Sequence, residues 1–225
     1  MDIQRKFIQG NGYKIPSVFL TEYGPTGAVV IVHGYGGSKE EQMGLAWRVA
    51  EMGFAVFAID LHGHGEHPLL LTEGVLDDVE AAIRLGRAFG KVAVIGHSLG
   101  GRLALLSSAD LAIALSPAFS KTYSLQTHES MKKRSYRVRE SSPETVFELC
   151  EMLPEWEQGD RPTLIIYGSR DIPEIVRSCE EQKSKGVPVT CIDRAMHSDI
   201  YLSETTFEAI GRQLSALAAE DGLVR

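Results

Sequence analysis

Cysteine is scarce: the 225-residue chain holds only Cys150, Cys179 and Cys191, with no CxxC spacing among them. An odd number so widely spread supplies neither a disulfide framework nor a thiolate metal site, and it fits buried thiols in a reducing compartment. Long hydrophobic runs are missing too. The longest, residues 54–59, falls far short of the roughly 20 apolar residues a membrane span needs. Residues 1–10 carry charges and no apolar stretch of signal-peptide length, so a cytoplasmic protein is expected. Cationic excess is a third absence, with 23 Lys and Arg against 30 Asp and Glu and a formal charge of −7. That balance excludes a general nucleic-acid or anionic-membrane binder, whose affinity rests on clustered cations. No internal repeat or low-complexity segment interrupts the chain, which removes solenoids and long linkers.

What is present suits one large core. A composition of 44% hydrophobic and 24% charged residues is that of an ordinary globular protein, and this length buries a core without disulfides or metal. A single domain over residues 1–225 is expected. Short apolar stretches at residues 27–33, 55–60, 92–96, 111–115 and 163–167 are continuous and rich in β-branched residues, as strands buried on both faces must be. Amphipathic stretches at residues 40–52, 74–89, 101–108 and 205–217 alternate with them and read as helices; in the last, Phe207, Ile210, Leu214 and Leu217 form one apolar stripe. Residues 189–193 read as a final strand, and residues 5–9 and 13–21, separated by Gly10-Asn11-Gly12, as an antiparallel hairpin on the sheet edge. The fold class expected is α/β, a mostly parallel sheet flanked by helices.

The rhythm breaks between residues 118 and 161, a polar stretch without a strand candidate. At that length a small helical insertion is expected rather than a structureless loop. Ser142-Pro143-Glu144 supplies a helix start, with Ser142 as N-cap and Pro143 in the first turn, followed by Val146, Leu149 and Leu153 on one face. Charge is split along the insertion. Lys121, Lys132, Lys133, Arg134, Arg137 and Arg139 fill its first half, and Glu144, Glu148, Glu151, Glu155, Glu157 and Asp160 its second. Two readings stand side by side: a basic rim that attracts a substrate anion, or two solvated faces that partly pair with each other.

The chemistry-bearing residues fall at carboxyl ends of expected strands, where sites of open α/β sheets form. Gly96-His97-Ser98-Leu99-Gly100 lies between a strand and a helix. On so sharp a turn a serine hydroxyl is pushed into the open, and side chains in place of Gly96 and Gly100 would collide with neighbouring backbone. His33-Gly34-Tyr35-Gly36-Gly37 follows the first buried strand and can aim a backbone N–H at the same place. Asp171 and His197 lie in the loops after two later strands. Asp193 is the nearest rival to Asp171, while Asp199 stands too close in sequence to reach the far ring nitrogen of His197. His62, His64 and His67 invite a metal reading, but their spacing matches no familiar zinc pattern, and a loop near the site mouth is expected instead.

With these residues the sequence resembles the α/β-hydrolase family from about residue 27 to residue 217. The resemblance includes the family's chain order of nucleophile, acid and histidine, here Ser98, Asp171 and His197. It takes in Asp60-Leu61-His62-Gly63-His64-Gly65, which looks like the family's D-x-R-G-x-G loop with His62 in place of arginine, and Gly168 to Pro173, which looks like its G-x-x-D-x-x-P turn with the proline one place earlier. The resemblance implies an oxyanion hole at the backbone N–H groups of Tyr35 and Leu99. It also implies a cap at residues 118–161 acting as a lid, with Phe119, Tyr123, Leu125, Met131 and Tyr136 as its apolar lining. The expected activity is that of a serine esterase on small or medium carboxylic esters, needing no cofactor and no metal. Thioester, amide and carbon–carbon hydrolysis share the same triad, and a non-catalytic ligand receptor on the same fold is the alternative from a different class.

Overall fold

The computed structural model describes residues 1–222, so residues 223–225 of the expected domain lie outside it. Eight strands form one sheet in the order β1-β2-β4-β3-β5-β6-β7-β8. β1 (Asp2–Gln9) and β2 (Lys14–Thr21) make the edge hairpin, and β2 joins the rest antiparallel. β3 (Ala28–Val32), β4 (Ala55–Ile59), β5 (Val92–His97), β6 (Leu111–Leu115), β7 (Thr163–Gly168) and β8 (Val189–Ile192) are parallel. Every residue of β3 to β7 is buried, which accounts for the unbroken apolar stretches of the sequence.

The side-chain period of two divides these strands between two layers. Val30, Val32, Phe57 and Val94 pack with α2 (Val75–Gly86) and α3 (Leu99–Leu106) on one face. Val29, Ile31, Val56 and Ile95 pack with α1 (Met43–Glu51) and α7 (Glu204–Gly222) on the other, where Phe207, Ile210, Leu214 and Leu217 form the expected stripe. α6 (Pro173–Ser184) crosses between β7 and β8. Two helix boundaries differ from the sequence reading. Residues 39–42 are a 3-10 turn before α1, and α3 begins two residues earlier than expected, directly after Ser98.

Between β6 and β7 lie α4 (Leu125–Lys132), a 3-10 turn (Ser135–Arg137) and α5 (Thr145–Met152). The expected start of the last helix is corrected. Ser142 Oγ accepts from Glu144 N at 3.0 Å, closing a local turn that contains Pro143, and the helix begins only at Thr145 with Glu144 at its cap. Val146, Leu149 and Leu153 do face the core. Arg102 of α3, 2% exposed, fastens this segment by donating to Cys150 O at 2.8 Å and Leu153 O at 2.7 Å. These are C-terminal carbonyls of α5 that the helix itself leaves without donors.

A buried ion pair holds the loops at the carboxyl end of the sheet. Asp60, fully buried, accepts from Lys39 Nζ at 2.7 Å, Lys39 N at 2.9 Å and Glu66 N at 2.8 Å. Burial pulls the Lys39 pKa down, but Asp60, Glu40 and Glu66 outweigh it and hold the ammonium charged. No helix among the described residues is long and apolar enough to cross a membrane. Lys39→Met strands the Asp60 carboxylate without its cation and is expected to cost about 3–5 kcal/mol. Urea unfolding reads this directly, and an unchanged midpoint contradicts the role given to the pair.

Candidate active site

Ser98 sits between the last residue of β5 and the first of α3 with φ 56° and ψ −114°, a backbone conformation L-residues rarely adopt. Close packing enforces it. A Cβ on Gly96 would lie 1.9 Å from Gly100 O, and one on Gly100 would lie 2.4 Å from Val32 O. The turn is further tied by Ser98 N donating to Leu115 O at 2.9 Å and by Ala118 N donating to Ser98 O at 3.1 Å. These constraints lift the Ser98 side chain off the end of the sheet.

Three of the residues singled out in the sequence meet there. His197 Nε2 lies 3.1 Å from Ser98 Oγ, and His197 Nδ1 lies 2.8 Å from Asp171 Oδ1. An ionised carboxylate only accepts, so Nδ1 carries the proton and Nε2 is free to accept from the serine hydroxyl. Burial works to raise the Asp171 pKa, but hydrogen bonds from His197, Ser116 Oγ and Ile172 N, with the charge of His197, outweigh it and hold the carboxyl below its usual value. Asp193 does not enter the group: its side chain is 87% exposed and pairs with Arg194. Asp199 instead accepts from Met196 N at 2.6 Å, pinning the turn that carries His197.

Gly34 to Gly37 form a tight turn facing Ser98. Gly37 N donates to Gly34 O at 3.0 Å, and Gly36 takes φ +72°, so the turn itself leaves the Tyr35 N–H without an acceptor. Gly34 approaches so closely that a Cβ there would lie 2.9 Å from Ser98 Cβ. Leu99, as first residue of α3, likewise has no intrahelical acceptor for its N–H. Tyr35 also donates its phenolic hydroxyl to Glu140 Oε1 at 2.6 Å, a link from this turn to the segment between β6 and β7.

Several supporting residues were invisible in the sequence as such. His97 Nε2 donates to His197 O at 2.8 Å, and the two rings lie 4.6 Å apart, so the residue before the serine positions the histidine. Ser116, with φ 49°, is aimed from the end of β6 at Asp171 Oδ2. His33 Nδ1 donates to Gly34 O at 2.8 Å while its Nε2 accepts from Leu61 N at 3.2 Å, bridging the glycine turn to the loop after β4. Their sequence signal is position alone: His97 ends β5, and His33 and Ser116 directly follow β3 and β6.

The clustered histidines separate. His64 Nδ1 donates to His62 O at 2.8 Å, whereas His62, His67 and Asp78, all buried, bring one potential metal-ligand atom each to within 4.8 Å of one another. Hydrogen bonds already define this group. His62 Nδ1 lies 2.6 Å and His67 Nε2 3.3 Å from the Asp78 carboxylate, and His67 Nδ1 accepts from Leu69 N at 3.2 Å. That last bond puts the neutral ring's proton on Nε2, facing Asp78, the reverse of the arrangement in which a metal-bound histidine donates its other N–H outward. Burial works to raise the Asp78 pKa, yet the two histidines hold it below its ordinary value. His62, standing in the arginine position, thus serves as a buried partner for Asp78.

A cavity of about 370 Å³ opens onto Ser98 and His197, bounded by Tyr35, Ala118, Ile172, Ile175 and the inner face of α4. Thr127, Ser130, Met131 and Arg134 line it at i, i+3, i+4 and i+7. Of the apolar lining expected from the resemblance, Tyr123 and Met131 are there. Phe119 packs on Trp156 instead, with ring centroids 6.0 Å apart, and Leu125 and Tyr136 are 76% and 86% exposed. Leu125 is two residues from Thr127 and therefore on the far side of the helix.

The fold is that of the alpha/beta hydrolases, and the sequence agrees. Residues 29–144, just over half the chain, match the alpha/beta hydrolase family, to which this protein belongs. None of the curated proteins matches the sequence. Among solved structures, an esterase from Pyrobaculum calidifontis is similar at 21% identity and TM-score 0.66, covering 97% of this chain and 85% of that one. An E-2-(acetamidomethylene)succinate hydrolase is similar at 16% identity and TM-score 0.73, covering 95% and 100%. A monoglyceride lipase from Saccharomyces cerevisiae is similar at 16% identity and TM-score 0.70, covering 98% and 96%. At these identities the likeness is one of fold.

Three buried histidines make stability depend on pH. Burial lowers the pKa of His33 to about 4, and burial followed by a neighbouring histidine lowers His64 and His97 to about 3. Unfolded histidine titrates near 6.5, so below that pH the unfolded chain binds protons that the folded one refuses. Their contribution is complete above pH 6.5 and is lost as pH falls toward 4. At the limit, three protons give a slope of about 4 kcal/mol per pH unit. Urea midpoints at pH 7.5, 6 and 5 are expected to fall with increasing steepness, and a flat series contradicts burial of neutral rings.

Proposed function

We propose that this hydrolase is a serine esterase acting on small or medium carboxylic esters, with Ser98 as nucleophile, His197 as general base and Asp171 as its orienting carboxylate. The observation that carries the reading is the unbroken line from Ser98 Oγ to His197 Nε2 at 3.1 Å and from His197 Nδ1 to Asp171 at 2.8 Å. Serine is a weak nucleophile at neutral pH until a base within hydrogen-bond reach takes its proton. As Oγ bonds to the ester carbonyl carbon, its proton passes to His197 Nε2, and Asp171 stabilises the imidazolium. Negative charge collects on the carbonyl oxygen, where the N–H groups of Tyr35 and Leu99 donate to it. Collapse expels the alcohol, which leaves with the proton from His197, and Ser98 holds the acyl group. Water then attacks the acyl carbon, giving its proton to His197, and the acid departs as Oγ recovers a proton.

Residues 118–161 act in this reading as a small cap over the acyl pocket. The cavity between α4 and Ser98 supports that role, at about 370 Å³ near the lower end for small-molecule sites. Its size favours short or medium acyl groups over long lipid chains. Nothing in the acyl-transfer steps calls for a cofactor or metal.

A fluorophosphonate probe is expected to label the native protein and to spare Ser98→Ala. Failure to label native protein, or equal labelling of the variant, sinks the serine-hydrolase reading and leaves a ligand receptor on this fold. Asp171→Asn is expected to lower kcat by about four orders of magnitude, through the wrong histidine tautomer. A screen of 4-nitrophenyl esters of rising chain length beside acyl-CoA and anilide substrates separates ester from thioester and amide hydrolysis.

A further inference from the structure

We infer that the substrate carries a carboxylate at the end remote from the scissile bond, that Arg134 binds it, and hence that the enzyme cleaves half-esters of short dicarboxylic acids. This rests on the esterase reading above and deepens it. The basic half of the cap is mostly committed elsewhere. Lys121 pairs with Glu155 at 3.0 Å, Lys132 with Glu144 and Arg137 with Glu41, while Arg139 donates to Gly65 O at 2.9 Å and to His67 O. Lys133 and Arg134 differ from these four, and of the two it is Arg134 that lines the cavity over Ser98. No hydrogen bond or ion pair to another described residue engages its guanidinium, and its stem runs along the oxyanion turn, with Cβ 3.2 Å from where a Cβ on Gly36 would lie.

Arg134 is also placed where the chemistry is. It lines the cavity over Ser98 and His197, and it lines a smaller recess of about 40 Å³ that shares Ser98. Among the described residues lining the larger cavity it is the one Lys or Arg, and no Asp or Glu faces it there. The one carboxylate in the recess, Glu41, already holds Arg137. The Ser130 hydroxyl and the Gln126 amide add neutral hydrogen-bonding groups to the same wall, while the Thr127 hydroxyl is turned to Glu174 at 3.3 Å. A cation beside a nucleophile, with the one carboxylate of the adjoining recess already paired to Arg137, is a receptor for a small anion. A guanidinium meets a carboxylate through two parallel N–H···O bonds, which adds orientation to charge attraction. The shallow volume limits the spacer between the two carbonyl carbons to a few methylenes.

Two esters of equal length test this: 4-nitrophenyl hydrogen adipate, ending in a carboxylate, and 4-nitrophenyl hexanoate, ending in a methyl. Wild type is expected to show kcat/KM about tenfold higher for the adipate at low salt, the scale of one charge-assisted interaction. Added salt narrows the gap. In Arg134→Gln the adipate-to-hexanoate ratio falls about tenfold, chiefly through KM, while Arg134→Lys keeps part of it. Lys132→Gln, an ion-paired neighbour outside the cavity, leaves the ratio alone. Fluorophosphonate labelling of Ser98 at the wild-type rate in Arg134→Gln establishes that the site is folded. An unchanged ratio in Arg134→Gln, or a wild type that prefers hexanoate, overturns the carboxylate reading while esterase activity stands. Labelling of Ser98 without turnover of either ester overturns the esterase reading and this one with it.

Discussion

The site depends on how closely three backbone segments cross at the carboxyl end of the sheet. β5 must end, turn and enter α3 within one residue, and the helix must pass over β3 with no side chain between them. Cβ positions 1.9 Å and 2.4 Å from carbonyl oxygens at Gly96 and Gly100 leave no room for any residue larger than glycine. That crowding forces Ser98 into positive φ, at a cost of about 1–3 kcal/mol for a non-glycine residue. The same approach brings Gly34 against Ser98, so the turn presenting the Tyr35 N–H and the serine hydroxyl are fixed by one contact. Loosening the crossing would relax the serine and move the Tyr35 and Leu99 N–H groups together.

Such a constraint writes itself into sequence, which is why so much of the centre is legible there. Gly96, Gly100, Gly34 and Gly36 are each required by a local collision or a turn geometry, and local requirements survive as spacing. The parallel strands are equally readable, because burial on both faces leaves no polar alternation. Asp171 and His197 are harder, since they lie 73 and 99 residues beyond Ser98 and only the order of strands brings them near. Topology decides between the rival carboxylates. Asp171 follows β7 directly and turns inward beneath Ser116, whereas Asp193, at the end of the edge strand β8, faces solvent.

What the sequence conceals is pairing across distant loops. His62 and His67 share Asp78, more than ten residues away on α2, and nothing in their own spacing announces a carboxylate partner. The start of α5 is missed for a related reason: Ser142, Pro143 and Glu144 are equally good for a turn and for a helix entry, and the Ser142 hydroxyl is spent on the turn. The lining of the cavity is misread where an apolar side chain is assigned by residue type. On α4 the rotation per residue decides, and it gives the cavity Thr127, Ser130 and Met131 while sending Leu125 to solvent; Arg134 joins them from just beyond the helix end.

Charge shows most clearly why bulk composition and local chemistry part. A net −7 describes the field felt far from the molecule, but at 0.15 M salt exposed charges beyond about 8 Å are largely screened. Near Ser98 the relevant inventory is short. The carboxylate of Asp171 is buried and turned toward His197, Glu41 is held by Arg137, and Arg134 has neither kind of partner. Within residues 118–161 the acidic half pairs with two of the basic residues, Lys132 to Glu144 and Lys121 to Glu155. Pairing within the segment thus accounts for two of its six cations, and Arg137 and Arg139 are held outside it, by Glu41 and by carbonyls of the loop after β4. An unpaired guanidinium on the cavity wall is thus a local charge of opposite sign to the −7 of the chain as a whole.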